Sequence, residues 1–240
     1  MDTIGLFCGG YSSEYEISMK SAHLIQSHFP EEYQLVKIVI TQNKWYCEDA
    51  NGKYTFDMNT GMAELCSGKT RLDLALICIH GDPGENGKVQ AYLEMKGIPF
   101  VNSGFEASSL AFDKFICNQF LKSQNIKTAQ SLLLRKKQLF NPREICSQLG
   151  LPLFVKPTDS GSSYGISKVY EQSKLKEAVN FAFNEGNQVI LESFLDGREL
   201  TCAVFRTEDK VKTLPITEII SDNDFFDCLS TFLQAKIEMS

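Results

Sequence analysis

The sequence predicts two folds in succession: a wound α/β domain with a parallel sheet, then an α+β region of antiparallel strands. Three observations predict this. Apolar runs alternate with helical patterns from the N-terminus to Asn102. From Ser103 onward, strand-like runs follow one another across short turns, as in antiparallel pairing. The composition is ordinary for a globular protein, 43% hydrophobic and 22% charged over 240 residues, which is enough chain for one or two domains with a sizeable core.

The elements follow in order. TIGLFC (3–8) reads as a strand and GGYSS as the turn after it. Residues 14–29 have a helical pattern with Ile17, Leu24, Ile25 and Phe29 near one face, and Ser13 with Glu16 forms a capping box at its start. YQLVKIVIT is a second strand. LDLALICIH is continuously apolar from Leu74 to Ile79, as a strand buried on both faces requires. GDPGENG is a glycine-rich loop, KVQAYLEMK a helix stopped by Gly97, and IPFVNS a short strand. EASSLAFDKFICNQFLKSQ is amphipathic and helical. TAQSLLLR, LPLFVKP, GISKVYE, NQVILESFL, RELTCAVFR and KTLPITEII read as strands, with PREICSQLG and SKLKEAVNFAFNEG as helices among them. A domain boundary falls near Asn102, and no repeat, low-complexity tract or long linker appears.

Charge and cysteine usage narrow the function. A net charge of −6 disfavours a nucleic-acid scaffold, which needs a basic face. No apolar run approaches the ~18 residues of a membrane span, and MDTIGLFCGG lacks the basic start of a secretion signal. The eight cysteines form no C-x-x-C pair, and several lie in apolar runs. They read as free thiols in a reducing cytoplasm, not as a zinc site or disulfide framework.

Several segments carry chemistry. KPTDSGSSYGISKV (156–169) joins two strands through a small, polar loop. It is either a simple hairpin or an anion cradle in which unhindered N–H groups and serine hydroxyls surround phosphate beside Lys156. It is not the G-x-x-x-x-G-K-[ST] P-loop. Downstream, Glu192 and Glu199 bracket a Leu-Asp-Gly turn. They are either solvent-facing carboxylates or acceptors for ribose and adenine donors. Lys114 is either a helix-surface lysine or a phosphate partner. Glu14 and His80 stand where strands end, the place where wound α/β sheets bind ligands. Glu14 can equally serve as a first-turn acid, and His80 as a packed strand-end residue.

Taken together, LFCGGYSSEYEIS, IHGDPGENGKVQAYLEMKGIPFVNSG, AFDK, LPLFVKPTDSGSSYGISKV and ILESFLDGRELT resemble the D-alanine–D-alanine ligases of the ATP-grasp group. The resemblance runs from about residue 4 to Asp227. It implies an N-terminal α/β domain (1–102), a central ATP-grasp domain with the phosphate loop (103–196) and the start of a C-terminal ATP-grasp domain (197–240). The implied reaction uses ATP to phosphorylate one D-alanine carboxylate, and the amine of a second D-alanine then attacks the acyl phosphate. The dipeptide feeds peptidoglycan synthesis.

By motif match, the resemblance makes Glu14 the partner of the first substrate's ammonium. Ser162 orders Glu14, and His80 lies beside the first D-alanine. Lys114 and Lys156 meet ATP phosphates. Gly161, Ser162 and Ser163 belong to the loop that closes over ATP, Glu192 sits by adenine and Glu199 by ribose. The resemblance further implies Mg²⁺ or Mn²⁺, a homodimer through the N-terminal domain and a cytoplasmic location. After Asp227 the chain reads CLSTFLQAKIEMS and departs from the family pattern, whose Lys-Tyr loop, arginine and metal-holding Asp, Glu and Asn find no match before Ser240. The chain therefore reads as incomplete, and no ligase activity is expected of these 240 residues alone. Phosphate release dependent on ATP and D-alanine would overturn that expectation. The alternatives are a non-catalytic nucleotide- or substrate-binding module, and a ligase taking D-lactate or D-serine second.

Overall fold

Seven consecutive residues of β1, Thr3–Gly9, are all buried, so neither face of this strand meets water. In a strand successive side chains point to opposite faces. Phe7 enters one core with Ile38, Ile40, Leu72 and Leu93, while Leu6 and Cys8 enter another with Ala22 and Val39. The computed structural model describes residues 1–49, 52–161, 164–207, 210–220 and 236–239. It divides into two compact units, residues 1–126 with 158–161, and residues 127–157 with 162–240.

In the first unit an eight-stranded sheet runs β6-β5-β4-β3-β2-β1-β7-β8. Its parallel part is the expected one. β1 lies between β2 (Gln34–Ile40) and β7 (Leu74–Ile77), parallel to both, and β8 (Phe100–Val101) continues parallel beside β7. The remainder of the sheet carries strands that the sequence reading did not identify. β3 (Trp45–Asp49), β4 (Gly52–Asp57), β5 (Met62–Leu65) and β6 (Gly68–Arg71) form an antiparallel meander on the outer side of β2. These strands are short, and β6 reads GKTR with no apolar residue, so they lack the pattern that marks a buried strand. Their anchor is aromatic. Trp45 and Phe56 stack at 6.0 Å, and both meet Phe7 edge-on at 6.2 and 5.9 Å. Such pairs add about 0.5–1.5 kcal/mol each beyond their buried area.

Helix α1 (Tyr15–Ser27) buries Ser18 and Ala22, whereas Leu24 is 63% exposed, so the buried face is rotated from the expected one. The Ser13–Glu16 capping box is also replaced. Glu14 occupies the N-cap without a side-chain cap bond, and Ser12 Oγ accepts from the Glu14 N–H at 3.2 Å. Helix α2 (Lys88–Lys96) ends at Gly97 in the left-handed conformation (φ 63°), as expected of a glycine stop. The segment expected as one helix is two, α3 (Phe105–Phe112) and α4 (Lys114–Ser123). Asp113 separates them because its carboxylate caps α4, accepting from the Phe115 and Ile116 N–H groups at 2.9 Å. Asn102, the expected boundary, lies just after β8 within the first unit.

In the second unit β9 (Ser131–Arg135), β10 (Leu153–Pro157), β11 (Ser167–Val169) and β12 (Gln188–Ser193) form an antiparallel sheet in the order β11-β10-β12-β9. Leu153, Val155, Val189 and Leu191 pack beneath α5 (Pro142–Leu149) and α6 (Leu175–Ala182). The alternate residues Phe154, Lys156, Ile190 and Glu192 must therefore take the opposite face. RELTCAVFR and KTLPITEII each split into two strands. β13 (Glu199–Thr201) pairs with β16 (Thr217–Ile220), and β14 (Val204–Thr207) with β15 (Lys210–Thr213). β17 (Lys236–Met239) adds to β16.

Candidate active site

In the first unit the site is assembled at the carboxyl ends of β1 and β7. Ser12 ties the two loops together, its hydroxyl donating to the His80 carbonyl at 2.8 Å while accepting from the Glu14 N–H. The Tyr11 N–H donates to the Asp82 carbonyl at 2.7 Å. Glu14 is 2% exposed, and its carboxylate lies directly against Gly161. A Cβ built on Gly161 would overlap Glu14 Oε2 and stand 3.0 Å from Cδ. Gly161 is thus the residue that lets this backbone approach the acid.

The loop after His80 is internally braced. The Gly81 N–H donates to Glu85 Oε2 at 2.7 Å, and the Gly84 and Glu85 N–H groups both donate to the Gly81 carbonyl at 2.9 Å. Lys88 Nζ and Asn86 Nδ2 reach the Asp82 carboxylate at 2.8 and 2.7 Å, which anchors the loop to the start of α2. Lys114, the first residue of α4, donates from Nζ to the Ser160 carbonyl at 2.6 Å, and its N–H donates to Thr158 O at 2.9 Å. A cavity of about 570 Å³ is lined by His80, Glu85, Gln90, Lys114, Ser160 and Gly161 among others. One cavity therefore presents an imidazole, an ammonium and a glycine-bearing backbone that covers a buried carboxylate, a set suited to a small zwitterion or an anion.

The second unit presents a different surface. On the face of the sheet away from α5 and α6, Lys156 Nζ and Glu192 Oε2 form an ion pair at 2.8 Å, with side chains 24% and 12% exposed. Lys156 also lies 4.9 Å from the centroid of the Phe154 ring. Lys168, directly opposite Phe154 in the strand register, stands 4.3 Å from Phe194 and 5.3 Å from Tyr170. Rings and cations on one sheet face make a platform for a planar base and its phosphates. Sequence reasoning missed Phe154, Lys168, Phe194 and Tyr170, although counting by twos along LPLFVKP puts Phe154 and Lys156 together. Glu199 opens β13 in a separate sheet, where it is exposed. Ser162 and Ser163 lie outside the described residues.

Burial controls the ionisation of the thiols near the first-unit core. It pushes Cys8 and Cys47 up to about 12, and it raises the Cys78 thiol that lines the cavity. These groups are neutral packing residues at ordinary pH.

Two family profiles cover nearly the whole chain, described as the D-ala D-ala ligase N-terminus over residues 3–103 and the D-ala D-ala ligase C-terminus over residues 120–240. The chain belongs to the D-alanine–D-alanine ligase family. The D-alanine–D-alanine ligase of Azobacteroides pseudotrichonymphae is 41% identical over 242 aligned residues, taking in 99% of this chain and 74% of that protein. Among solved structures, D-alanyl-alanine synthetase A from Vibrio cholerae superposes with a TM-score of 0.82 at 28% identity, covering all of this chain and 73% of that one. The Bacillus anthracis D-alanine–D-alanine ligase complexed with ATP gives 0.72 at 28% identity, with 94% and 68% covered. The activity of the family to which the chain belongs is the ligation of D-alanine to D-alanine, and the mixed α/β fold with its small antiparallel sheets is the family's fold.

Proposed function

We propose that the chain binds D-alanine through its first unit and ATP through the cationic face of its second, toward ATP-dependent synthesis of D-alanyl-D-alanine. The observation that carries this reading is the cavity in which His80, Lys114, Ser160 and Gly161 meet, with the Glu14 carboxylate behind Gly161. The Glu14 carboxylate accepts from the ammonium of the first D-alanine, and His80 flanks that substrate. Lys114 and Lys156 neutralise phosphate charge, while Gly161, Ser162 and Ser163 belong to the loop over ATP, with Ser162 ordering Glu14. Glu192 accepts from the adenine amino group and Glu199 from ribose.

In this reading the γ-phosphoryl group passes to the carboxylate oxygen of the first D-alanine and releases ADP. The amine of the second D-alanine attacks the acyl carbon. The tetrahedral intermediate expels phosphate as the amine loses its proton. The chain's contribution is to bind the two reactants and to offset negative charge. Among the described residues no group of three or more His, Cys, Asp or Glu could hold a metal ion, and no step is routed through one.

The same reading places domains at 1–102, 103–196 and 197–240. It expects a homodimer through the N-terminal domain, which light scattering on a sizing column tests directly. It also puts the chain in the cytoplasm, where ATP is supplied. Among the described residues no helix is long and apolar enough to cross a membrane.

Titration calorimetry with D-alanine and with ATP tests the assignment of roles. Replacing the carboxylate in Glu14→Gln should weaken D-alanine binding by about tenfold or more and leave ATP binding unchanged, because a charge-assisted hydrogen bond becomes a neutral one. Equal D-alanine affinity in both proteins would refute the role of Glu14.

A further inference from the structure

Gln90 sits on α2 just after the loop that begins at Gly81, and it is only 1% exposed. Its Nε2 donates to the Gly84 carbonyl at 2.6 Å. Its Oε1 is buried and has no hydrogen-bond partner among the described residues. A buried amide with one group paired and the other orphaned gains little net stability, since the unmade bond offsets the one that is made. An apolar side chain of similar length would remove the orphaned Oε1 but leave the Gly84 carbonyl without its donor, so the exchange trades one unmade bond for another. Fold stability therefore does not account for an amide at this position.

What the amide does is hold one particular carbonyl. Gly84 is pressed against Ile79, where a Cβ would overlap the Ile79 side chain and stand 2.9 Å from its carbonyl oxygen. The Gly84 N–H is bonded back to Gly81, and Gly81 in turn to Glu85. Gln90 thus fastens the centre of a turn whose first residue follows His80. Gln90 and His80 also line the same cavity.

We propose that Gln90 is a positioning residue that sets the His80 wall of the cavity through the Gly84 carbonyl. The consequence for ligand binding rests on the reading that this wall takes the first D-alanine.

The test uses the 240-residue chain with Gln90→Met and, as a second variant, Gln90→Leu, both good helix formers. Amide exchange and D-alanine affinity are measured alongside thermal melting. Exchange at Gly84 and Glu85 should rise about tenfold, while Ala91 and Leu93 within α2 stay within about twofold, because only the local opening changes. The melting temperature should hold within about 2 °C and the D-alanine Kd should rise about fivefold. Unchanged exchange at Gly84 and Glu85 in both variants overturns the proposal. So does a uniform rise across α2 with a falling melting temperature, which is the signature of a purely structural residue. If the unsubstituted chain fails to bind D-alanine, the proposed function fails, and the exchange data still decide the role of Gln90.

Discussion

Gly161→Ala is a small perturbation with a large expected effect. Gly161 is not held in the left-handed backbone region, so alanine meets no conformational strain of its own. The new methyl group instead overlaps Glu14 Oε2, with Cδ at 3.0 Å and Oε1 at 3.1 Å. The obstructing atoms end a side chain, so the carboxylate can swing away for about 0.5–1.5 kcal/mol of rotamer cost. The binding cost is larger. If Glu14 no longer points at the ammonium, a charge-assisted hydrogen bond of about 1.5–3 kcal/mol is lost, which corresponds to a roughly tenfold to hundredfold weaker D-alanine Kd. Calorimetric titration with D-alanine reads this directly, with a melting curve run beside it. Gly104→Ala is the control, because a Cβ there meets only Glu94 Oε1 at an ordinary 3.5 Å. A Gly161→Ala protein that binds D-alanine as tightly as the control would overturn the role of Gly161 in placing the Glu14 carboxylate. A collapse in melting temperature would locate the effect in the fold instead of the acid.

Two further outcomes follow from ion pairing and burial. Glu192→Gln keeps an acceptor beside Lys156 but removes the charge of its 2.8 Å partner and should lower stability by about 1 kcal/mol, because the pair is only partly buried. Urea unfolding measures that loss, and a titration with ATP should show weakened binding. The stability contributed by the Cys8 and Cys47 thiols should be constant below pH 9 and fall above it. Cys8 and Cys47 titrate from about 9 when unfolded to about 12 when folded, so in that window the unfolded chain binds fewer protons and gains on the native state. The slope is on the order of 1 kcal/mol per pH unit per thiol. Cys8→Ala should flatten it in urea titrations at pH 8 and pH 10, and an identical slope would refute the assignment to that thiol.

The parts of the fold legible in the sequence were those with an unmixed signal. β1 and β7 are apolar on both faces because helices cover both sides of the sheet, and uniform hydrophobicity survives without context. The meander β3–β6 was illegible because its strands are short and half-exposed, and Trp45 and Phe56 find their partners only through tertiary contact with Phe7 and Tyr92. The cap of α1 was misread for a related reason. Ser13 satisfies the local rule, but Ser12 is the residue drawn into the bond with His80, sixty-eight positions away. In the candidate site, glycines and charged residues announced themselves by type and spacing. Gln90, Lys168 and Phe194 did not, since a glutamine in a helix or a lysine in a strand has no pattern of its own. Their significance comes from what the chain brings against them.

The alternation along β10 and β12 has a consequence for how this protein tolerates change. Leu191 faces the helices and Glu192 faces the ion pair, one residue apart on the same strand. A one-residue deletion ahead of Leu191 would exchange the two, sending a carboxylate into the hydrophobic core and a leucine onto the cationic surface. The register that makes the second unit fold is the same register that gives it a charged face. Length changes in β12 should therefore abolish folding and ligand binding together, while point substitutions on either face can separate them.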